Sequence, residues 1–275
     1  MSQIKIIKGN IFNSSAQTLV NTVNTVGVMG SGIALEFRLR YPEMYNKYVD
    51  YCKQKQMQIG KLWIYKAKDR WILNFPTKEN WKDDSKIEYL EKGLQKFVDT
   101  YKIKGITSVA FPILGANLGK IPKEQALEIM QAYLSKCNIP IEIYEYDSET
   151  PDDLFAKLKS KFSNMSIEEI SKKTNIQKQY VKKLLKIFND ESIQSISKLN
   201  SVEGIGVKTL EKLFNYFFDR VTPIEHDKNK EELIKIASTN LKPESLFVLK
   251  KYISRQKKVN NSLFKVMKAI IENKA

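Results

Sequence analysis

The chain is poor in the residues from which disulfides and metal sites are built. Its 275 residues include only two cysteines, Cys52 and Cys137, and a single histidine, His226. Two distant cysteines cannot form a disulfide framework, and one histidine argues against a zinc site or a Ser-His-Asp triad. The sequence therefore predicts no metal and no cofactor, and its cysteine content is typical of a reducing cytoplasm.

Long apolar runs are also missing, and acidic residues are scarce. No stretch of about 18 apolar residues occurs, and no apolar run behind a charged segment opens the chain, so we expect neither a membrane partner nor classical export. The chain has 46 basic and 31 acidic residues. Residues 151–275 alone carry 25 basic and 15 acidic side chains. This excess indicates a polyanionic partner, nucleic acid before membrane, although lysines that merely solvate helices remain an alternative.

Strand and helix patterns alternate along the first 150 residues. Runs rich in β-branched and aromatic residues predict strands at Ile4–Lys8, Thr18–Asn24, Lys61–Ala67, Trp71–Phe75, Ser108–Leu114 and Ile141–Tyr146. Helical stretches are predicted between them, at Ser31–Gln54, Ser85–Tyr101 and Pro122–Ser135. This alternation predicts an α/β domain over residues 1–150, with a largely parallel sheet covered on both faces and ligands at the carboxyl ends of its strands.

The pattern after a polar break at residues 148–153 is entirely helical. We expect a smaller, basic, all-α domain over residues 151–275, beginning with a pair of helices that resembles a helix-turn-helix. The segment from Val202 to Leu210 resembles a helix-hairpin-helix, whose Gly204, Gly206 and Lys208 would contact a DNA phosphate. A tight turn or a protein-docking site is the alternative. Two further helices are predicted over residues 228–275, broken at Lys242-Pro243.

An asparagine-bearing strand followed by three glycines is the strongest motif of the chain. Asn21 and Asn24 are followed by Gly27, Gly30 and Gly32, which permit positive φ and, lacking a Cβ, would admit a ligand close to the backbone. The helix start behind this loop suits a phosphate. The spacing does not match the dinucleotide fingerprint or a Walker loop. The motif therefore predicts a nucleotide-diphosphate pocket.

Five segments in a characteristic order resemble the macrodomain family of ADP-ribose-binding α/β modules. They are Lys8-Gly9-Asn10, Val20–Asn24, Gly27–Ala34, Asn74–Lys78 and, more weakly, Phe111–Gly119. Within that family, Phe75-Pro76-Thr77-Lys78 most resembles the DarG-like antitoxins of DarTG toxin–antitoxin pairs, which are DNA ADP-ribosyl glycohydrolases. The resemblance implies a three-layer α/β/α fold with a mixed, largely parallel sheet.

The resemblance also implies a ligand pose. Adenine would meet Asn10 and stack on Tyr144 or Tyr146, the two phosphates would lie between the glycine loops, and the distal ribose would lie near Asn21 and Asn24. The implied ligand-binding residues are Asn10, Ile11, Asn21, Asn24, Gly27, Val28, Met29, Gly30, Ser31, Gly32, Thr77, Gly115, Ala116, Asn117, Leu118, Gly119 and Tyr146.

Lys78 is the predicted catalytic residue. As a neutral amine it would attack C1″ of the ribose, and as an ammonium it would polarise the leaving base while water attacks. Similar macrodomains that use the lysine covalently carry an acid on the second glycine loop. Residues 115–120 contain none, so the choice between the two schemes stays open.

The expected function is removal of ADP-ribose from a base, thymine or guanine, of single-stranded DNA. The implied partners are ADP-ribosylated DNA, a DarT-like ADP-ribosyltransferase toxin held by the C-terminal region, and ADP-ribose as product, with the chain acting as a cytoplasmic monomer. Three alternatives remain: a reader that binds ADP-ribose without catalysis, a hydrolase of modified protein, and a module that only sequesters the toxin.

Overall fold

A computed structural model describes residues 4–220, 228–255 and 261–272. His226 lies outside these residues. The chain forms two compact units, residues 1–217 and 218–275. The first unit contains a six-stranded sheet and nine of the α-helices in the described part of the chain, and the second contains three.

The sheet is built from the six strands that the sequence predicts. They are β1 (Ile4–Gly9), β2 (Thr18–Val23), β3 (Trp63–Lys66), β4 (Trp71–Pro76), β5 (Val109–Pro112) and β6 (Ile141–Tyr146). Their order is β1-β6-β5-β2-β4-β3, and only β3 runs antiparallel to its neighbour. The predicted mixed, largely parallel sheet is therefore confirmed.

Four helices cover the sheet. They are α1 (Gly32–Arg40), α2 (Pro42–Lys53), α3 (Ile87–Lys104) and α4 (Lys123–Leu134), with a 3₁₀ turn at Ile11–Asn13. The prediction of one helix from Ser31 to Gln54 is wrong. Tyr41 leaves the helical region with φ −132° and ψ 67°, and Pro42 starts a new helix because its ring excludes the residue before it from the α conformation.

Adjacent residues of one strand lie in two separate apolar cores. Val20 and Phe111 lie in a core with α3 and α4, whereas Leu19 and Ala110 lie in a core with α1 and α2. Such alternation is the two-residue period of a strand buried on both faces. The three-layer architecture follows from it.

A bundle of short helices continues the first unit. It comprises α5 (Asp153–Ser163), α6 (Ile167–Thr174), α7 (Lys178–Phe188), α8 (Ile196–Ser201) and α9 (Val207–Phe217). Leu35 and Leu39 of α1 belong to its core, whereas Phe37 points into the sheet-side core. The boundary near residue 150 thus marks the change from sheet to helices. As a division between independently folding domains it stays a prediction.

The second unit is a small helical cluster. It contains α10 (Lys228–Asn240), α11 (Pro243–Arg255) and α12 (Asn261–Glu272), which share a core around Leu233, Ile253 and Ile271. The prediction of two helices is wrong, because α11 ends at Arg255 and a third helix begins at Asn261. Across the residues described in both units, no helix combines the length and apolarity needed to cross a bilayer.

Candidate functional site

The carboxyl ends of the strands carry the residues that the sequence singles out. Asn10 follows β1, Asn24 follows β2, Thr77 follows β4, and Tyr146 ends β6. Because these strands are parallel, their ends meet at one edge of the sheet, where open α/β sheets bind ligands.

The first glycine loop, residues 27–32, is shaped by two of its three glycines. Gly27 has φ +85° and Gly32 has φ +56°, in the left-handed region that side chains rarely enter. Gly30 does not use the positive φ that glycine permits. A Cβ at Gly30 would lie 3.8 Å from Val28 Cγ1, an ordinary van der Waals contact, so packing within the loop does not require glycine at this position.

Asn24 braces this loop from within. Its Nδ2 donates to the Val28 carbonyl at 2.6 Å, and its Oδ1 accepts from the Val26 and Val28 backbone N–H groups at 3.1 and 3.2 Å. The Tyr48 hydroxyl, buried beneath, donates to the Asn24 carbonyl at 2.7 Å. The side chain therefore fixes the loop, and its contact with a sugar hydroxyl stays a prediction.

Asn21 lies fully buried in the sheet. Its Nδ2 donates to Asn74 Oδ1 at 2.9 Å across β2 and β4. The Asn21 Oδ1 and Asn74 Nδ2 atoms have no hydrogen-bond partner within the protein. Buried polar atoms are seldom left unpaired, so this pair has unused hydrogen-bonding capacity below the site.

The second glycine loop, residues 115–119, is closely packed. Gly115 has φ +69°, and the Gly119 carbonyl accepts from the Ser85 N–H at 3.0 Å. A Cβ at Gly119 would strike the Gly115 carbonyl oxygen. Lys120, at φ +63°, pairs with Asp84 at 3.0 Å. Glycine at 119 is thus required by backbone packing.

Lys78 lies where the two glycine loops meet. Its Nζ donates to the Leu118 carbonyl at 2.6 Å. A Cβ at Gly32 would lie 3.1 Å from Leu118 Cδ1, so that side chain also touches the first loop. Among the described residues no carboxylate forms an ion pair with Lys78. The predicted catalytic residue is therefore held by a backbone carbonyl rather than by an acid.

The helical bundle borders the predicted adenine end of the site. Asn10 is 3% exposed, its Oδ1 accepts from the Phe12 N–H at 3.0 Å, and its Nδ2 lies 3.5 Å from Asp152 Oδ2. Tyr146 is 45% exposed, and its partial burial raises its pKa. Tyr144, the alternative stacking residue, is 8% exposed.

The other predicted ligand residues lie in three settings. Ile11, Met29 and Thr77 are buried, and the Thr77 N–H donates to the Val23 carbonyl at 2.9 Å. Val28 is exposed only in part, and Ser31 is exposed next to the first turn of α1. Ala116, Asn117 and Leu118 form the second loop, with Leu118 61% exposed.

Sequence reasoning missed a cluster of buried charges between α1 and the helical bundle. Arg40 contacts Glu36 at 2.6 Å and Asp152 at 2.8 Å, and the side chains of both acids are at most 1% exposed. Ser197 Oγ donates to Glu36 at 2.7 Å. The i,i+4 spacing of Glu36 and Arg40 was a visible signal. The distant partner Asp152 had none.

Two carboxylates in this cluster share one guanidinium. Desolvation by burial, together with the nearby Asp152 charge, raises the pKa of Glu36 above its ordinary value of 4.5, against the lowering effect of Arg40. A pKa raised in the folded state means that the folded chain binds the proton more tightly than the unfolded chain. The resulting stability is present at low pH and is lost as pH rises through the folded-state pKa.

Replacing Glu36 by glutamine is expected to remove this pH dependence. The new amide keeps an acceptor for Arg40 and leaves one carboxylate per guanidinium. As pH rises from about 4 toward neutrality, the free energy of unfolding of the native chain should fall relative to that of Glu36→Gln. Urea titrations of both proteins at several pH values measure the difference. Parallel curves for the two proteins would contradict the assignment to Glu36.

Arg38 connects the first glycine loop to α9. Its Nη1 donates to the Met29 carbonyl at 3.2 Å, and its Nε and Nη2 donate to Glu211 at 2.9 and 2.7 Å. Its guanidinium also stacks over the Tyr45 ring at 4.3 Å. The conformation of the first glycine loop is thereby coupled to α9 of the bundle.

The predicted DNA-contacting hairpin joins α8 to α9. Gly204 has φ +78°, Ile205 is buried, and Gly206 has open space where a Cβ would stand. Gly204, Gly206 and Lys208 are all exposed. The hairpin geometry is present, and its contact with DNA stays a prediction.

Comparison with known proteins identifies the fold of the first half. A family model of the macro domain matches residues 20–130. A DNA ADP-ribosyl glycohydrolase of Thermus aquaticus is 38% identical over 148 residues, covering 52% of this chain and 41% of that protein. The chain thus spans about two fifths of the length of this curated relative.

Solved structures also match the first half of the chain as a macrodomain. The macrodomain of Thermus aquaticus DarG matches with a TM-score of 0.51 and 37% identity, covering 53% of this chain and 99% of that one. Thermosipho africanus DarTG in complex with ADP-ribose matches with a TM-score of 0.52 and 36% identity, covering 55% of this chain and 43% of that one. The chain therefore belongs, through its first half, to the macrodomain family.

Proposed function

We propose that this protein is a hydrolase that removes ADP-ribose from a base of DNA. The observation that carries the proposal is the position of Lys78 between the two glycine loops at the carboxyl edge of the sheet. The Thermus aquaticus relative is named a DNA ADP-ribosyl glycohydrolase, which supports the same substrate.

ADP-ribose is proposed to lie along this edge. Positive-φ glycines and the start of α1 favour the diphosphate between residues 27–32 and 115–119. Asn10 and Tyr146 would border adenine, and the distal ribose would then lie beside Lys78. The unused amide atoms of Asn21 and Asn74 lie below, where they support hydrogen bonding to the sugar or to an ordered water.

Lys78 is proposed to act as an ammonium rather than as a nucleophile. Its Nζ donates to the Leu118 carbonyl, and no carboxylate in the described part of the chain pairs with it to take its proton. In the reaction the bond from C1″ to the base nitrogen breaks, and its electron pair goes to the base, which takes a proton from Lys78. Water adds to C1″, and the proton that it loses restores the ammonium.

The remaining assignments concern partners. Single-stranded DNA is the proposed form of the substrate, because a modified base in it needs no extraction from a stacked duplex. The basic residues 151–275 would bind the transferase toxin or DNA, with Gly204, Gly206 and Lys208 facing a phosphate. We further propose that the chain acts as a monomer in the cytoplasm, which its two free, buried cysteines suit.

The test is turnover of a defined substrate. A single-stranded oligonucleotide carrying ADP-ribose on one base is incubated with the full chain, and both products are followed by mass. Clean DNA and free ADP-ribose are expected, with little release from an ADP-ribosylated protein assayed in parallel. Unchanged modified DNA, bound tightly, would instead identify a reader. Faster release from the modified protein would show that the substrate is ADP-ribosylated protein rather than ADP-ribosylated DNA.

A further inference from the structure

Helices α6 and α7 are joined by a short turn, in the order of elements of a helix-turn-helix. Ser166 caps α6 by accepting from the Glu169 N–H at 3.1 Å. Asn175 ends the helix in the left-handed conformation, with φ +57° and ψ 30°. The turn is fixed from both sides, because Ser171 Oγ donates to the Ile176 carbonyl at 2.7 Å and Lys212 Nζ donates to the Asn175 carbonyl at 2.8 Å.

Helix α7 divides cleanly into a buried and an exposed face. Val181, Leu184 and Ile187 pack into the bundle core. The opposite face carries residues spaced three to four apart, all exposed: Lys178, Gln179, Lys182, Lys183 and Lys186. The first helix of the pair supports α7 from behind, as in proteins that place the second helix in the major groove of DNA.

The charge of this face is one-sided. Helix α7 contains four lysines, Lys178, Lys182, Lys183 and Lys186, and no acidic residue. Lys178 pairs with Glu168 at 2.9 Å, but in the described residues no carboxylate pairs with Lys182, Lys183 or Lys186. Like charges at i,i+4 destabilise a helix unless something neutralises them. A phosphate backbone does so.

The basic face of α7 adjoins the glycine hairpin. The Lys183 ammonium lies against Gly204, where it would clash with a Cβ. Because of this contact, the hairpin and the exposed face of α7 form one continuous surface. The two segments that the sequence singles out separately are therefore adjacent in space.

From this arrangement we propose that residues 167–188 bind double-stranded DNA, with α7 in the major groove. Gln179 near the start of the helix would read a base edge, since glutamine amides pair with adenine in that groove. Lys182, Lys183 and Lys186 would contact phosphates, and the hairpin would hold the adjacent backbone. The proposal extends the DNA-binding part of the proposed function and is independent of the hydrolase part.

The first test measures binding of the full chain to a labelled 30-base-pair duplex and to either of its strands alone. The native chain should prefer the duplex. Lys182→Gln combined with Lys186→Gln should weaken duplex binding about tenfold and reduce the salt slope by about two. The matched control changes two exposed lysines of α3, Lys96→Gln and Lys104→Gln, and should leave binding unchanged.

The second test distinguishes sequence-specific base recognition from non-specific electrostatic binding to phosphates. Selection from a random duplex library should enrich one motif with the native chain, and Gln179→Ala should lose the motif while keeping general affinity within about threefold. Equal binding of single strands, or an equal loss in the α3 control, would overturn the proposal. So would a folded chain that binds no duplex and instead uses this face for a protein. The hydrolase proposal is tested separately, by turnover of a modified single strand with the native chain, so either proposal can fail alone.

Discussion

Replacing Lys78 by alanine should slow the release of ADP-ribose from DNA by at least about a hundredfold, the usual scale of a lost proton donor. The side chain reaches the junction of the two glycine loops, and among the described residues no second cation shares its hydrogen bond to the Leu118 carbonyl. Binding of free ADP-ribose should persist, since the loop backbone is untouched. Product release is followed by mass, and ADP-ribose binding by calorimetry.

The control for this variant is Lys104→Ala, an exposed lysine of α3 that should release ADP-ribose at the native rate. A second measurement separates the two roles of the amine. Reduction with cyanoborohydride during turnover would trap an adduct on Lys78 if the amine attacked C1″. We expect none. A trapped adduct would establish the covalent route, and native turnover by Lys78→Ala would remove the residue from the chemistry altogether.

Replacing Arg40 by leucine should lower the free energy of unfolding by about 3–5 kcal/mol, the cost of leaving buried charges without their partner. Glu36 and Asp152 would then face each other with no cation between them, and the guanidinium packing on the Phe12 ring would also be lost. Denaturant unfolding followed by circular dichroism measures the change.

Rescue is the test of this cause. On the Arg40→Leu background, Glu36→Gln should restore part of the loss because it removes one of the two uncompensated charges. Lys104→Leu, which removes an exposed cation from α3, should change stability by less than about 0.5 kcal/mol. If Arg40→Leu costs no more than this control, the cluster does not hold α1 to the bundle.

Local patterns were sufficient to predict the sheet and to place the candidate site residues at one edge of it. Each strand had its own run of β-branched residues, and parallel order placed Asn10, Asn24 and Lys78 at one edge without further information. The break at Tyr41 was also readable, because Pro42 disfavours a helical residue before it. The error there came from giving the long apolar pattern more weight than the proline.

Other features could not be predicted from the local sequence pattern. Asn24 looked like a ligand residue, yet its amide is used within the loop that follows. Gly30 permits a positive φ, and only the backbone path shows that it does not adopt one. The pairings of Arg40 with Asp152 and of Arg38 with Glu211 join residues more than a hundred positions apart.

The link through Arg38 has a thermodynamic consequence. The Arg38 guanidinium donates both to the Met29 carbonyl of the first glycine loop and to Glu211 of α9. A molecule that docked on α9 and displaced Glu211 would change the affinity of the first glycine loop for the diphosphate proposed to bind there. Linkage then requires the anion to alter the affinity for that molecule by the same factor. A partner bound to the helical bundle and a nucleotide bound at the sheet would each change the affinity of the chain for the other, as effector and ligand do in an allosteric protein.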